Sequence, residues 1–431
     1  MSVGTQERTQ PCPQCGAEIR GDERFTVWCA ACDWNVDPAG PRKELGRLER
    51  MRRALARRHG EKLLAEVVSG EALRARRDTP ALLAVVIALA VHGVTVALAA
   101  GGIWFIVRGW GGWPMLPGLL LLLLTWPLRP RLPRLPDNAP VLYRADAPAL
   151  FALIDEVADV VGTRGVDAVV VDDMVNAGVL TYGLRGRRLL ILGLPYWEIL
   201  TPQQRVALLG HELGHYCNGD VRHHLVLGSA YTSLMTWWHY FAPSEDPASA
   251  MEVIVNLLLA VPRSLVTGVL LLLDRLTLRA SQRAEYLADR IAAHVGSTEA
   301  AVGLMDGALV ADSAEGVLLR EANRAALTGP RGYRGGEDRT DELWERLTAH
   351  MASIPESEYE RQRRVGALRG HSVDATHPPT HLRRAGLLTG DSLPAAVTTN
   401  DDRDRHIATE LAEARRLTGQ RIIRDGPSHR A

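Results

Sequence analysis

The 431-residue sequence predicts an α+β fold, mainly helical, with a small β-sheet and two apolar hairpins long enough to cross a bilayer. Three observations predict it. Apolar residues make up 46% of the chain but crowd into a few long runs, the distribution of a membrane protein. Residues 168–171, 179–182 and 189–192 are short runs rich in Val or Leu, of strand length, and Gly183 and Gly186 sit between the last two as a hairpin turn. The segments between these runs carry helical periodicity and capping signals, most clearly around residues 201–220. Formal net charge is zero, so no global field draws nucleic acid, and none is expected as a partner.

Residues 1–40 hold four of the five cysteines, as Cys12-x-x-Cys15 and Cys29-x-x-Cys32. Two such knuckles read as a zinc ribbon holding one structural zinc; the competing readings are a disulfide pair or a redox couple. Thiolates held on zinc favour a reducing compartment. Phe25, Trp28 and Trp34 are candidate packing groups. With no basic stripe inside it, the ribbon is expected to make a protein contact or act as a regulatory cap.

Residues 41–79 form a basic juxtamembrane helical segment, with Arg57, Arg58 and Arg74 among its cations. It reads as a surface for anionic lipid headgroups, the alternative being a solvated charged helix. Residues 80–128 form the first transmembrane hairpin, with Trp110, Trp113 and Trp126 as interfacial anchors. Lying behind a ribbon, it is not expected to be a cleaved signal. Arginines flank both ends of this hairpin, so the positive-inside rule puts both flanks in the cytoplasm. The expectation is a multi-pass protein of the cell membrane, partnered by the lipid bilayer, with its ribbon and soluble domain on the cytoplasmic side.

Residues 140–220 contain His211-Glu212-Leu213-Gly214-His215. Thr201-Pro202-Gln203-Gln204 offers a cap, a proline at the first helical position and a glutamine three residues beyond the cap; Asn218-Gly219 offers a stop. On a helix the two imidazoles stand one above the other, which suits two of zinc's ligands, with Glu212 placed as a base for water. The H-E-x-x-H-x-x-G-x-x-H solution for a third ligand fails, because Asn218 and Val221 occupy its last positions. The other solution is a carboxylate from a later helix. Arg283-Ala284-Glu285-Tyr286-Leu287-Ala288-Asp289 offers two on one face, one to ligate and one to support. Cys217, just past His215, is expected as a small buried residue.

Residues 221–274 read as a second transmembrane or membrane-associated hairpin, with an acidic loop at Glu245 and Asp246 outside and Arg263 in mid-segment. Residues 275–390 complete the catalytic unit, and residues 391–431 form a polar helical tail with a disordered end.

The His-Glu-Leu-Gly-His and Arg-Ala-Glu-Tyr-Leu-Ala-Asp motifs together resemble the membrane-embedded zinc endopeptidases of the HtpX and CAAX prenyl protease family, of gluzincin type, over roughly residues 142–388. The resemblance implies a catalytic zinc on His211, His215 and Glu285, with Glu212 as general base and Asp289 supporting the ligands. It implies that His377, in a His-Pro pair, and Arg383 steady the transition state. It also implies that the strand nearest the zinc helix binds an extended peptide along its edge. Leu189, Leu190, Ile191, Leu192 and Gly193 are expected to be that edge, the alternative being a core strand. The implied protein is a membrane-bound zinc-dependent endopeptidase with one catalytic and one structural zinc, cleaving membrane or membrane-proximal proteins or peptides. The competing reading is a catalytically inactive protease-like scaffold or sensor acting through the ribbon. An intramembrane protease fits less well, because Gln203, Gln204 and Arg205 crowd the motif with polar groups.

Overall fold

The computed structural model of the chain describes residues 7–38, 40, 47–69, 79–129, 134–136, 139–183, 185–217, 220–243, 249–328, 336–370 and 377–427. The expected Asn218-Gly219 stop and the acidic loop residues Glu245 and Asp246 lie outside the described residues.

In chain order, strands β1 (Glu7–Pro11) and β2 (Glu18–Asp22) are followed by helix α1 (Arg47–Val68) and the apolar helices α2 (Thr79–Arg108) and α3 (Met115–Leu128). Strand β3 (Val141–Leu142), α4 (Pro148–Val161), β4 (Ala168–Asp172), β5 (Ala177–Tyr182) and β6 (Arg187–Gly193) come next. Then come α5 (Leu194–Ile199), α6 (Pro202–Cys217), α7 (Asp220–Tyr240) and α8 (Ala250–Gly296). The chain continues through α9 (Thr298–Leu309), α10 (Ala311–Thr328), α11 (Gly336–Ala352), α12 (Glu356–Arg369), α13 (Thr380–Leu387), α14 (Asp401–Glu410) and α15 (Ala412–Asp425).

The larger sheet runs β3-β4-β6-β5. Its β4 and β6 are parallel, and the other two pairs are antiparallel. Side chains alternate across it as a pleat demands. Val169, Val171, Leu190 and Leu192 join Phe151, Ile154, Leu209 and Leu213 of α4 and α6 in the main core. Ala168, Val170 and Leu189 face a smaller cluster on the other side. This topology corrects one expectation. Residues 189–193 are not an edge, because β6 has β4 on one side and β5 on the other. The edges are the two-residue β3 and the six-residue β5, against whose outer sides no further strand pairs among the described residues.

Helix α8 holds the apolar segment and Glu285 in one unbroken element of 47 residues, about 70 Å at 1.5 Å per residue. The expected boundary near residue 274 is therefore no break. Two described helices are long and apolar enough to span a bilayer, α2 and the first part of α8. The two expected hairpins are only partly matched, since α3, at 14 residues, is about 21 Å long and shorter than the ~30 Å hydrocarbon core. Ala84, Ala88 and Val91 of α2 pack on Ala230 and Leu234 of α7 and on Val266 and Leu273 of α8. Arg263 rests over the Trp238 ring, 4.4 Å from its centre, so its charge meets an aromatic face of the neighbouring helix.

Two further elements differ from expectation. Residues 391–427 are no detached tail, and the expected disordered end lies outside the described residues. Ile407, Leu411, Ala414 and Ile422 are buried in the main core. Glu410 caps α4 by accepting from the backbone N–H groups of Ala149 and Leu150 at 2.7 and 2.9 Å. The charged surface of α14 and α15 hid a narrow apolar stripe. Helix α1 likewise lays Gly60 and Leu63 against the catalytic unit and leaves Arg57 and Arg58 exposed.

The ribbon docks on α12. Trp28 Nε1 donates to Ser357 O at 3.2 Å, Arg361 to Val36 O at 2.8 Å and Arg364 to Ala30 O at 2.7 Å. Trp28, Val36 and Val365 close the apolar centre of the contact. The partner of this ribbon's face is therefore the chain itself.

Candidate metal centre

Helix α6 begins with a reciprocal cap, in which Thr201 Oγ1 accepts from Gln204 N–H at 3.3 Å and Gln204 Oε1 accepts from Thr201 N–H at 3.0 Å. It then crosses α8 at very short range. A Cβ at Gly210 would lie 3.0 Å from Val295 Cβ, and one at Gly214 would lie 3.3 Å from the Ala288 backbone. Glycine at these two points lets the helices touch. His211 and His215, each one residue beyond a glycine, thereby meet Glu285.

His211 Nε2 and His215 Nε2 lie 3.3 Å apart. His211 Nε2 is 3.6 Å from Oε2 of Glu285, and His215 Nε2 is 3.6 Å from its Oε1. A tetrahedral ion with bonds of 2.0–2.1 Å places neighbouring ligand atoms about 3.3–3.4 Å apart, so the three donors fit zinc. Glu285 Oε2 is buried and makes no hydrogen bond, leaving a lone pair for a cation. His377 Nε2 lies 3.0 Å from Oε1, the oxygen that also faces His215.

Behind the donors, Asp289 Oδ1 is 3.1 Å from His211 Nδ1. Arg383 donates to both oxygens of Asp289, Nε at 2.8 Å and NH2 at 2.6 Å, and its NH1 lies 3.2 Å from Glu285 Oε2. Every nitrogen of the guanidinium is thus turned to the two carboxylates.

The charge states follow from this packing. Burial pushes the Glu212 carboxyl up, with Glu285 adding to the effect, while the neighbouring His211 and His377 oppose it. Burial would also push Glu285 and Asp289 up, but His377 and Arg383 for the first, and Arg383 for the second, hold both below the usual carboxylate range. Burial lowers His215 to about 4, so it presents a neutral, metal-binding imidazole. On His211, burial is outweighed by Asp289, and its pKa is raised.

The ribbon sulfurs form a second cluster. Cys12 Sγ is 3.7 Å from Cys32 Sγ, and Cys15 Sγ is 3.6 Å from Cys29 Sγ. A disulfide needs about 2.05 Å. Four sulfurs at ~2.3 Å from one zinc lie about 3.8 Å apart, which these spacings match. Gly16 at φ 76° and Asp33 at φ 57°, each directly after the second cysteine of its pair, make the tight knuckle turns, with their N–H groups donating to Cys12 O and Cys29 O at 2.9 Å.

All the residues expected at the catalytic centre, His211, Glu212, His215, Glu285, Asp289, His377 and Arg383, come together; residues 189–193 do not form the expected edge. Cys217 is exposed rather than buried, its Sγ donating to Val161 O at 3.2 Å. Sequence reasoning missed Tyr216, whose hydroxyl reaches Leu180 O at 2.8 Å and Leu189 O at 3.2 Å and ties α6 to the β5–β6 hairpin. It also missed Gln282 and Tyr286. The one signal for these was an amide and a phenol a helical turn apart beside Glu285.

Two imidazoles and a carboxylate from crossed helices, with a glutamate beside the first imidazole, define a metallohydrolase site. The profile of Peptidase family M48 matches residues 145–389, more than half of the chain, and the chain belongs to that family of zinc-dependent metallopeptidases. No curated protein and no solved structure matches the chain.

Proposed function

We propose that the chain is a membrane-bound zinc endopeptidase that cleaves membrane or membrane-proximal proteins on the cytoplasmic side. The observation that carries this reading is the convergence of His211, His215 and Glu285 at zinc spacing with Glu212 beside them. Bound zinc supplies Lewis acidity, polarising the scissile carbonyl and acidifying water. Glu212 takes a proton from water and passes it to the leaving amine, a double role suited to a carboxyl whose pKa burial has raised. His377, whose Nε2 stands 3.0 Å from Glu285 Oε1, is assigned by the family resemblance to steady the oxyanion. Arg383 holds Asp289 and Glu285 in place rather than meeting the substrate, because its nitrogens are already engaged. The second zinc, on Cys12, Cys15, Cys29 and Cys32, is structural and keeps the ribbon seated on α12.

The peptide docks along β5. Hydrogen bonds of β6 to β5 alternate with its bonds toward β4. Gly193 N–H donates to Asn176 O at 2.9 Å, whereas Arg188 O accepts from Asp167 N–H at 2.9 Å. By that alternation the polar groups of Val179 point outward, ready for an extended substrate.

Membrane residence is supported by the exposed apolar side chains Leu82, Val86, Leu89 and Val96 of α2 and Leu257, Leu258, Val261 and Leu265 of α8. An apolar surface this continuous needs a lipid or protein cover. Arg108 and Arg129 border α2 and α3, and Arg275 and Arg279 follow the apolar part of α8. The test is Glu212→Gln in purified protein: zinc content is retained, and cleavage of unfolded casein is abolished. Cleavage that survives this change overturns the assignment.

A further inference from the structure

We propose that α1 is a positioning element of the hydrolytic centre, and that Gln282 and Tyr286 are the residues through which it acts. The inference rests on the peptidase reading and extends it to a segment whose sequence suggested a lipid-facing surface.

Gln282 and Tyr286 lie one helical turn apart on α8, on a stripe neighbouring that of Glu285 and Asp289. Both are buried. Gln282 Nε2 donates to Ala56 O at 3.0 Å, and Tyr286 OH donates to Gly60 O at 3.2 Å. The acceptors are themselves one turn apart, so two rungs join the helices in a single register. An apolar contact between helices can slide; two buried donors aimed at fixed carbonyls cannot, since a slip leaves both unpaired.

The same turn of α1 presses on the His377 segment. A Cβ at Gly60 would lie 3.2 Å from Leu382 Cδ1, 3.4 Å from Pro379 Cδ and 3.7 Å from Pro378 Cβ. A Cβ at Gly386 would lie 3.4 Å from the Tyr286 ring and 3.6 Å from Leu64 Cδ1. The Tyr286 ring therefore fills the junction of α1, α8 and α13. Arg283 and Glu66, 3.5 Å apart, close its rim. Glu285 belongs to α8, while His377 and Arg383 belong to the segment that starts α13. Helix α1 touches both, and so sets the spacing between the metal-binding carboxylate and the His-Pro segment. A misplacement of about 1 Å at such a centre costs on the order of a hundredfold in rate.

The experiment uses the full-length, zinc-loaded protein in detergent, with dye-quenched casein as the probe. Tyr286→Phe removes only the hydroxyl. Gly60→Ala adds one carbon against the movable end of Leu382, and Gly60→Leu forces α1 away. We expect Tyr286→Phe and Gly60→Leu to lower kcat roughly ten- to a hundredfold with KM within about twofold. Gly60→Ala should keep most activity. Changing exposed Arg57 and Arg58 together to Ala should leave kcat unchanged. Hydrogen exchange supplies a readout independent of turnover: in Gly60→Leu it should rise over residues 377–388 but not over β4 and β6. Wild-type kcat and unchanged exchange in both Tyr286→Phe and Gly60→Leu overturn the proposal, as does a loss of activity accompanied by faster exchange throughout the sheet. A chain without Glu212-dependent cleavage fails the peptidase reading instead, and the exchange arm still decides the role of α1.

Discussion

Arg383 grips Asp289 with two hydrogen bonds, at 2.8 and 2.6 Å, and Asp289 in turn stands 3.1 Å from Nδ1 of His211. This chain orients an imidazole from behind and turns its Nε2 toward Glu285. A carboxylate behind a ligating histidine typically contributes 10–100-fold in metal affinity. Asp289→Asn keeps the volume and removes the charge. It should weaken zinc binding at this site by about that factor, read by competition with a chelator, while the ribbon zinc stays bound.

Arg383 carries a different load. Removing it leaves two carboxylates, Asp289 and Glu285, buried side by side with only the imidazoles of His211 and His377 to face them. Breaking a buried pair in this way costs about 3–5 kcal/mol. Arg383→Ala should therefore unfold at markedly lower denaturant than the wild type. The double change with Asp289→Asn should recover part of the loss, because it also removes one of the stranded charges. An Arg383→Ala protein of wild-type stability would show that the carboxylates share a proton or draw in another cation.

The candidate metal centre was legible because metal binding needs particular side chains at helical spacing, and spacing survives in the sequence. His211 and His215, Glu285 and Asp289 each stand one turn apart, and the glycines between α6 and α8 bring the pairs together. The edge of the sheet was less legible. The unbroken run Leu189-Leu190-Ile191-Leu192 is what a strand paired on both sides looks like, whereas the more mixed Ala177–Tyr182 is an edge strand. The continuity of α8 was hidden because charges at Asp274, Arg275 and Arg279 mark a change of solvent and not a change of backbone. Contacts such as Arg361 to Val36 O, or Gln282 to Ala56 O, join side chains to carbonyls that every residue possesses, so no pattern in the sequence announces them.

The ribbon and the catalytic centre should lose metal separately. Wild-type protein should carry two zinc ions per chain by elemental analysis. Changing Cys12 and Cys15 to Ser should remove one, and His211→Ala the other. Loss of the ribbon zinc should also expose α12. Arg361, which bonds both oxygens of Glu358 at 2.7 Å and Val36 O at 2.8 Å, then loses its ribbon acceptor. Limited trypsin digestion should cut at residues 361–369 in the Cys variant well before it does in the wild type.

Asp172 makes stability depend on pH. Burial pushes its carboxyl up to about 6, with the neighbouring Asp173 adding to it, while a hydrogen bond from Met174 N–H and the charge of Arg421 oppose it. The unfolded value is about 3.9. Between these values the folded chain holds a proton that the unfolded chain has lost. The stabilising contribution is complete below about pH 4 and is lost as pH rises through 6. Asp172→Asn is neutral throughout and can still accept from Met174. It should gain on the order of 1–2 kcal/mol over the wild type at pH 8, less at pH 5 and nothing near pH 4. Thermal unfolding at these pH values reads the trend, and a gain that grows toward acid would have the wrong sign.

The edge of β5 offers the sharpest test of how substrate is held. Val179 turns its N–H away from β6, so proline there removes a donor that the sheet does not use. Proline is tolerated on the outer side of an edge strand for the same reason. Val179→Pro should therefore fold, keep both zinc ions and raise KM for an extended peptide roughly tenfold, the effect of losing one or two edge hydrogen bonds of about 1 kcal/mol each. Leu190→Pro, in the interior strand, should instead unfold the sheet, because its N–H belongs to the ladder with β4. A Val179→Pro enzyme with unchanged KM would move the peptide off β5. A chain unfolded by that change would show that the outward face of Val179 is already occupied by this protein's own backbone.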